Sequence, residues 1–131
     1  MDDDENYSNK KYEALNYSNQ QFDKNVLFIA SGALGISFAF IEKMVPDITE
    51  ATGKCNLISS WYLYATVIFL SLTAHFISIL ANRWAIVNAD SKNFDKISCQ
   101  WNWTIRTFNI FMIIGLLIAT LLLISFIQIN I

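Results

Sequence analysis

Three long runs of uncharged, mostly apolar residues divide the chain, and charged residues occur only outside them. The runs contain 17, 28 and 25 residues and cover 25–41, 55–82 and 107–131. About 20 helical residues cross the roughly 30 Å hydrocarbon core of a bilayer, and the first run gives a helix of about 25 Å. The pattern predicts an all-α integral membrane protein with three transmembrane helices.

The composition favours a membrane domain over a soluble helical bundle. Hydrophobic residues make up 54% of the chain and charged residues only 15%, whereas soluble domains carry roughly 25% charged residues. A soluble bundle would also need a polar face on each helix, and 111–127 offers almost none. We expect a polar tail at 1–24 and a transmembrane domain at 25–131, with spans at about 25–42, 57–82 and 107–131.

The segments outside these spans carry helical signals of their own. Apolar residues recur at helical spacing from Tyr12 to Val26, which predicts a helix that begins near Ser8 and continues into the first span. The loop at 83–106 is expected to extend the second helix and to turn near 90–93.

Seven of the nine Lys and Arg residues lie in the tail and in the loop at 83–106. Lys43 and Lys54 are the two exceptions. Because basic residues resist translocation, we expect the N-terminus in the cytoplasm and the C-terminus outside. The acidic start of the chain is unlike a signal peptide. The seven bases are candidates to contact a cytoplasmic ligand or partner: Lys10, Lys11, Lys24, Arg83, Lys92, Lys96 and Arg106.

The first span contains a face of small residues. Ser31, Gly35 and Ala39 are spaced by four, which places them near one another on a helix and lets a second helix approach closely. Small residues are also common in membrane helices generally. The spacing favours a helix that packs inside the protein or between protomers.

The second span carries a polar stripe at near-helical intervals. His75 is the one residue of the stripe whose charge changes near physiological pH. A polar stripe is a poor neighbour for lipid, and such a face usually turns toward protein or water. If several copies surround a pore, we expect Ser71, His75 and Ser78 to face the conduction path. The alternative for His75 is a neutral imidazole bonded to an adjacent helix. The pore-lining candidates are Ser60, Tyr64, Ser71, His75, Ser78 and Asn82.

Two further expectations follow from these faces and from the missing catalytic patterns. One small-residue face and one polar face are hard to satisfy within a monomer, so we expect a homo-oligomeric bundle.

The sequence has no Gly-rich phosphate loop, no Ser/His/Asp or Cys/His set and no pair of intramembrane carboxylates. One His and two Cys are too few for a structural zinc site. We expect neither an enzyme nor a metal or cofactor.

The run LFIASGALGISFAFI at 27–41, followed by EKMVP at 42–46, resembles the first span of small bacterial membrane proteins from anti-phage systems. It is most similar to the Hailong-type membrane effectors, whose partner is a nucleotidyltransferase-like enzyme. The resemblance covers about 20 residues of the chain and rests on small-residue packing. It implies an oligomeric inner-membrane channel, controlled on the cytoplasmic face by that enzyme or its nucleotide or oligonucleotide product, which depolarises the membrane during infection.

The leading hypothesis is therefore a pore-forming effector that disrupts the membrane potential, with itself and the lipid bilayer as its first partners. The chief alternative is a bacteriocin immunity protein that binds a toxin within the membrane through the same three-helix plan. A phage holin is a third hypothesis, disfavoured because a charged C-terminal tail is missing. Overexpression separates the first two, since an effector depolarises the cell and an immunity protein alone is harmless.

Overall fold

A computed structural model of the chain describes residues 2–88 and 90–131. In this part of the chain three long α-helices follow one another: α1 (Asp2–Met44), α2 (Lys54–Val87) and α3 (Phe94–Asn130). Each is long enough and apolar enough to cross a membrane. The predicted all-helical class is thus confirmed, and the three helices capable of spanning a membrane indicate a multi-pass membrane protein.

The helix ends follow local chemistry. α1 is unbroken over 43 residues and begins several residues before the predicted start at Ser8. It stops just ahead of Pro46, whose ring clashes with a continuing helix. α2 begins after Gly53, whose φ of 75° lies in the left-handed region that glycine adopts without strain. The turn that joins α2 to α3 lies at 88–93, in the predicted region.

Consecutive helices run in opposite directions, so the bundle has two distinct ends. The loop end holds the α1–α2 connection and the last residues of α3, and the turn end holds the α2–α3 turn and the start of α1. α2 is the central helix, because it contacts both neighbours extensively while α1 and α3 touch each other only slightly.

The buried residues of α2 form a line that we call the α2 seam. They alternate at intervals of three and four, and the buried residues of α3 recur every seven. This is the 3.5-residue period of left-handed coiled coils, in which the side chains of one helix fit between those of the next. The α2 seam consists of Leu57, Ser60, Tyr64, Val67, Ser71 and Ala74.

Hydrogen bonds between helices show how far one helix is displaced along the axis of another. Near the loop end the Trp61 indole donates to the Ser37 hydroxyl at 2.6 Å. Further along α2, the Ser71 hydroxyl donates to the main-chain carbonyl of Asp23 at 3.1 Å. Asp23 and its neighbour Lys24 are the last charges before the apolar run of α1. The polar part of α1 therefore begins at the level of Ser71.

Contacts between α2 and α3 give the position of α3 along α2 in the same way. The hydroxyls of Tyr64 and Thr120 are 3.0 Å apart, and Gly115 lies against Val67. Counting back along α3 from these contacts puts Arg106 close to the level of Phe76. Charged residues thus occur on both α1 and α3 at the level of residues 71–76 of α2. The layer between this level and the loop end carries no charges on the three helices until Glu42 and Lys54, and we call it the apolar belt. The predicted second span extends beyond this belt.

Candidate functional site

The structure divides the six predicted pore-lining residues into two groups. Ser60, Tyr64 and Ser71 belong to the α2 seam and are 0%, 1% and 2% exposed. They lie between helices of the same chain, where they contact protein, and the assignment of Ser71 to a conduction path stays a prediction. A polar stripe with a near-helical period fits a packed seam as well as it fits a pore wall.

Each of the three seam residues has a hydrogen-bond partner within the chain. The Ser60 hydroxyl donates to the carbonyl of Leu57 at 2.7 Å. Tyr64 pairs with Thr120 on α3, and Ser71 bonds the main chain of α1. Small or hydrogen-bonded polar residues are what lets membrane helices adhere without a hydrophobic driving force. These side chains hold the bundle together.

The other three residues continue the same face of α2 toward the turn end, where it is less covered. Ser78 is half-buried, and His75 and Asn82 are exposed. α1 leaves the outer end of this face uncovered, because every described side chain of its residues 3–18 is exposed. The part of the stripe accessible from outside the chain is therefore its turn-end third.

A buried carboxyl group lies close to this accessible part. Asp23 is 5% exposed, and its Oδ1 atom has no hydrogen-bond partner within the described residues. Burial raises the pKa of Asp23, and the nearby His75 acts in the opposite direction. The buried carboxyl and the exposed imidazole thus lie on facing helices near the same level of the bundle. We call these two residues the Asp23–His75 pair.

Sequence reasoning missed Asp23. The available signal was weak, because the residue stands at the edge of an apolar run beside Lys24, as many interfacial charges do. Its burial depends on the offset between α1 and α2. Over the described residues, no group of three or more His, Cys, Asp or Glu side chains is placed to hold a metal ion.

The small-residue face of α1 is not covered by the chain itself. Ser31, Gly35 and Ala39 are all exposed, and a Cβ atom built at Gly32 or Gly35 would meet nothing within 4 Å. Within a single chain these three residues are therefore not packed against another helix, and a contact between protomers stays a prediction. The face remains open to another helix.

The seven predicted contact bases are exposed without exception and lie toward the turn end: Lys10, Lys11, Lys24, Arg83, Lys92, Lys96 and Arg106. They are spread over three helices and the connecting turn. Their positive charges are therefore distributed along the surface of the bundle and are separate from one another.

The site thus comprises the Asp23–His75 pair, the exposed end of the polar stripe and the uncovered face of α1. Comparison with known protein families, with curated proteins and with solved structures found no match.

Proposed function

We propose that this protein is a self-associating membrane effector that opens an ion pathway in the bacterial inner membrane during anti-phage defence. The observation that carries the proposal is the uncovered small-residue face of α1, formed by Ser31, Gly35 and Ala39. Lipid supplies no hydrophobic drive for helix association, so close backbone approach at such a face is the main route to an oligomer. The distribution of basic residues supports a cytoplasmic turn end.

In this proposal the accessible third of the polar stripe forms the cytoplasmic mouth of the pathway. His75 and Asn82 are exposed there, and Asp23 lies at the inner end of this mouth, at the level of Ser71. Polar and ionisable groups at a constriction set which ions enter. The exposed bases on the same side would receive a nucleotide-derived ligand or a nucleotidyltransferase-like partner, as the resemblance of the first span implies.

The test of self-association is a bulky substitution on the uncovered face. Gly35→Leu has room within the chain, since no atom lies within 4 Å of its Cβ position, but it would hold a second helix away. Ala65→Leu is the matched control, because Ala65 is an exposed small residue on α2. The measurements are subunit counting by single-molecule photobleaching in lipid, and membrane potential after induction.

We expect the natural protein and Ala65→Leu to show several bleaching steps and to depolarise cells, and Gly35→Leu to show one step and no depolarisation. A natural protein that bleaches in one step contradicts self-association.

The cytoplasmic mouth is tested separately. His75→Ala should alter ion flux when the variant is expressed at the same level as the natural protein. Unchanged flux would remove His75 from the pathway.

The uncovered face of α1 equally supports a second candidate, an immunity protein that binds a toxin helix. The two differ in what the protein does alone. Induction without a toxin depolarises cells if the protein is an effector. It is harmless, and protects against one toxin, if the protein is an immunity protein.

A further inference from the structure

A second feature of the bundle is a groove between α2 and α3, to which α1 contributes no residue. Its volume is about 500 Å³, and nearly all of its lining is apolar. Leu63 and Leu70 line it from α2, and Phe108, Phe111 and Ile114 line it from α3. Phe111 and Ile114 are exposed, so the groove opens outward toward the layer that lipid would occupy.

The groove spans about the depth of one lipid leaflet. Along α3 it runs from Thr107, next to the charged Arg106, to Gly115. These eight steps correspond to about 12 Å of helix, and half of a hydrocarbon core is about 15 Å. It closes at Gly115, where an added Cβ would lie 3.0 Å from a methyl carbon of Val67. The groove thus reaches from the turn-end edge of the apolar belt toward its middle.

The same face of α3 becomes polar beyond the groove. A depression of about 490 Å³ is lined by Cys99, Gln100, Trp103 and Thr104. Lys96 lies one helical turn before Gln100 and is exposed. From the turn end inward, the face therefore presents an ammonium group, then an amide, an indole and a hydroxyl, and then apolar side chains.

We infer that the α2–α3 groove binds one acyl chain of a phospholipid from the turn-end leaflet, with the lipid phosphate beside Trp103 and Gln100 and with Lys96 one helical turn further out. The order of groups along the face matches the order in a phospholipid. Tryptophan prefers the head-group level of a bilayer, and Trp103, 70% exposed, lies between the apolar and cationic parts. Because Lys96 adds a positive charge at the head group, an anionic phospholipid should bind better than a zwitterionic one.

A filling substitution and a matched control test the acyl-chain site. The Thr66 hydroxyl lines the groove and donates only to the carbonyl of Tyr62 in its own helix, at 2.8 Å. Thr73 makes the same bond to Phe69, also at 2.8 Å, but is not among the residues lining the groove. Thr66→Phe fills the groove, and Thr73→Phe does not.

The measurement is native mass spectrometry of the purified full chain with added palmitoyl-oleoyl phosphatidylglycerol. We expect one lipid per chain for the natural protein and for Thr73→Phe, and loss of that lipid for Thr66→Phe. Leu70→Phe fills the same groove from the next turn and should also lose the lipid, which covers the case that Thr66→Phe does not fold. Undiminished lipid on a folded filling variant overturns the inference.

The head-group contact has its own comparison. Lys96→Gln should bind phosphatidylglycerol no better than it binds phosphatidylcholine. Lys92→Gln, a substitution in the turn, should still bind phosphatidylglycerol better than phosphatidylcholine. Equal binding of the two lipids by the natural protein contradicts the phosphate contact. If filling changes the subunit number and leaves lipid bound, the groove is a contact between copies and the inference is wrong.

Discussion

The main-chain carbonyl of Asp23 accepts a hydrogen bond from the Ser71 hydroxyl over 3.1 Å. A residue that precedes the apolar run of α1 thus contacts a residue near the middle of the uncharged run of α2. α1 is offset along α2, so the two runs overlap only in part. This offset buries the Asp23 carboxyl and leaves His75 at the edge of the apolar belt.

The α2 seam predicts that the same substitution at two adjacent serines changes the free energy of unfolding by very different amounts. Ser60 is fully buried, whereas Ser59 is exposed. Ser60→Leu forces extra volume between packed helices and should lower the free energy of unfolding by about 1–3 kcal/mol. Ser59→Leu places the same side chain outside the bundle and should change it by less than about 0.5 kcal/mol. Unfolding with sodium dodecyl sulfate in mixed micelles measures both, and equal effects would contradict the seam.

The hydrogen bond between Tyr64 and Thr120 should be measurable as a coupling energy. Tyr64→Phe and Thr120→Val each remove one partner of the 3.0 Å contact. Thr120 also donates to the carbonyl of Leu116, a bond that the Tyr64 substitution leaves intact. We expect a double-mutant cycle in micelles to give about 0.6 kcal/mol, the average for such bonds in membrane proteins. Strictly additive effects would mean that the two hydroxyls do not interact.

The close approach of Gly115 to Val67 predicts a suppressor pair. A Cβ atom at Gly115 would lie 3.0 Å from Val67 Cγ2, so Gly115→Leu should cost about 1–3 kcal/mol of unfolding free energy through overpacking. Val67→Ala creates space at that point and should recover part of the loss in the double variant. Ala65→Leu, at an exposed small residue of α2, serves as the control. No recovery would indicate that other contacts limit the helix spacing.

Asp23 predicts a pH dependence of stability with a defined sign. Because burial raises its pKa in the folded state, the folded protein binds more protons than the unfolded chain between the usual value, 3.8, and the raised one. Stability should therefore fall as pH rises through this window and stay reduced above it. Asp23→Asn should remove this fall and be more stable than the natural protein above the window.

Unfolding measured between about pH 4 and 8 checks the Asp23 prediction. Glu13→Gln is the control, since Glu13 is an exposed acid of the same helix. The charge of His75 lowers the pKa of Asp23, so His75→Gln should extend the fall to higher pH. A flat profile for the natural protein would contradict the buried carboxyl.

The number and position of the membrane-spanning helices could be predicted because lipid imposes one rule on every span. A helix in a bilayer must be apolar over about 20 residues, and the three runs satisfy that rule in the sequence alone. Charges at Lys24 and Arg106 mark where two of the runs begin. No knowledge of neighbouring helices is needed for this step.

The relative depth of the helices could not be predicted, because it depends on contacts such as that between Ser37 and Trp61, which are 24 residues apart in sequence. The burial of part of the polar stripe between helices could not be predicted for a related reason. Over the length of one span, periods of 3.5 and 3.6 residues hardly diverge. Ser60 and Ser71 therefore look the same in sequence whether they face a partner helix or water.

The short apolar run of α1 has a consequence for the surrounding bilayer. Its 17 residues measure about 25 Å, less than the roughly 30 Å of an average hydrocarbon core. A protein with such hydrophobic mismatch thins the lipid around it or gathers with others of its kind. Every copy brought alongside another removes a strip of deformed lipid, so membrane thickness itself would bias these chains toward assembly, and thicker membranes would bias them more strongly.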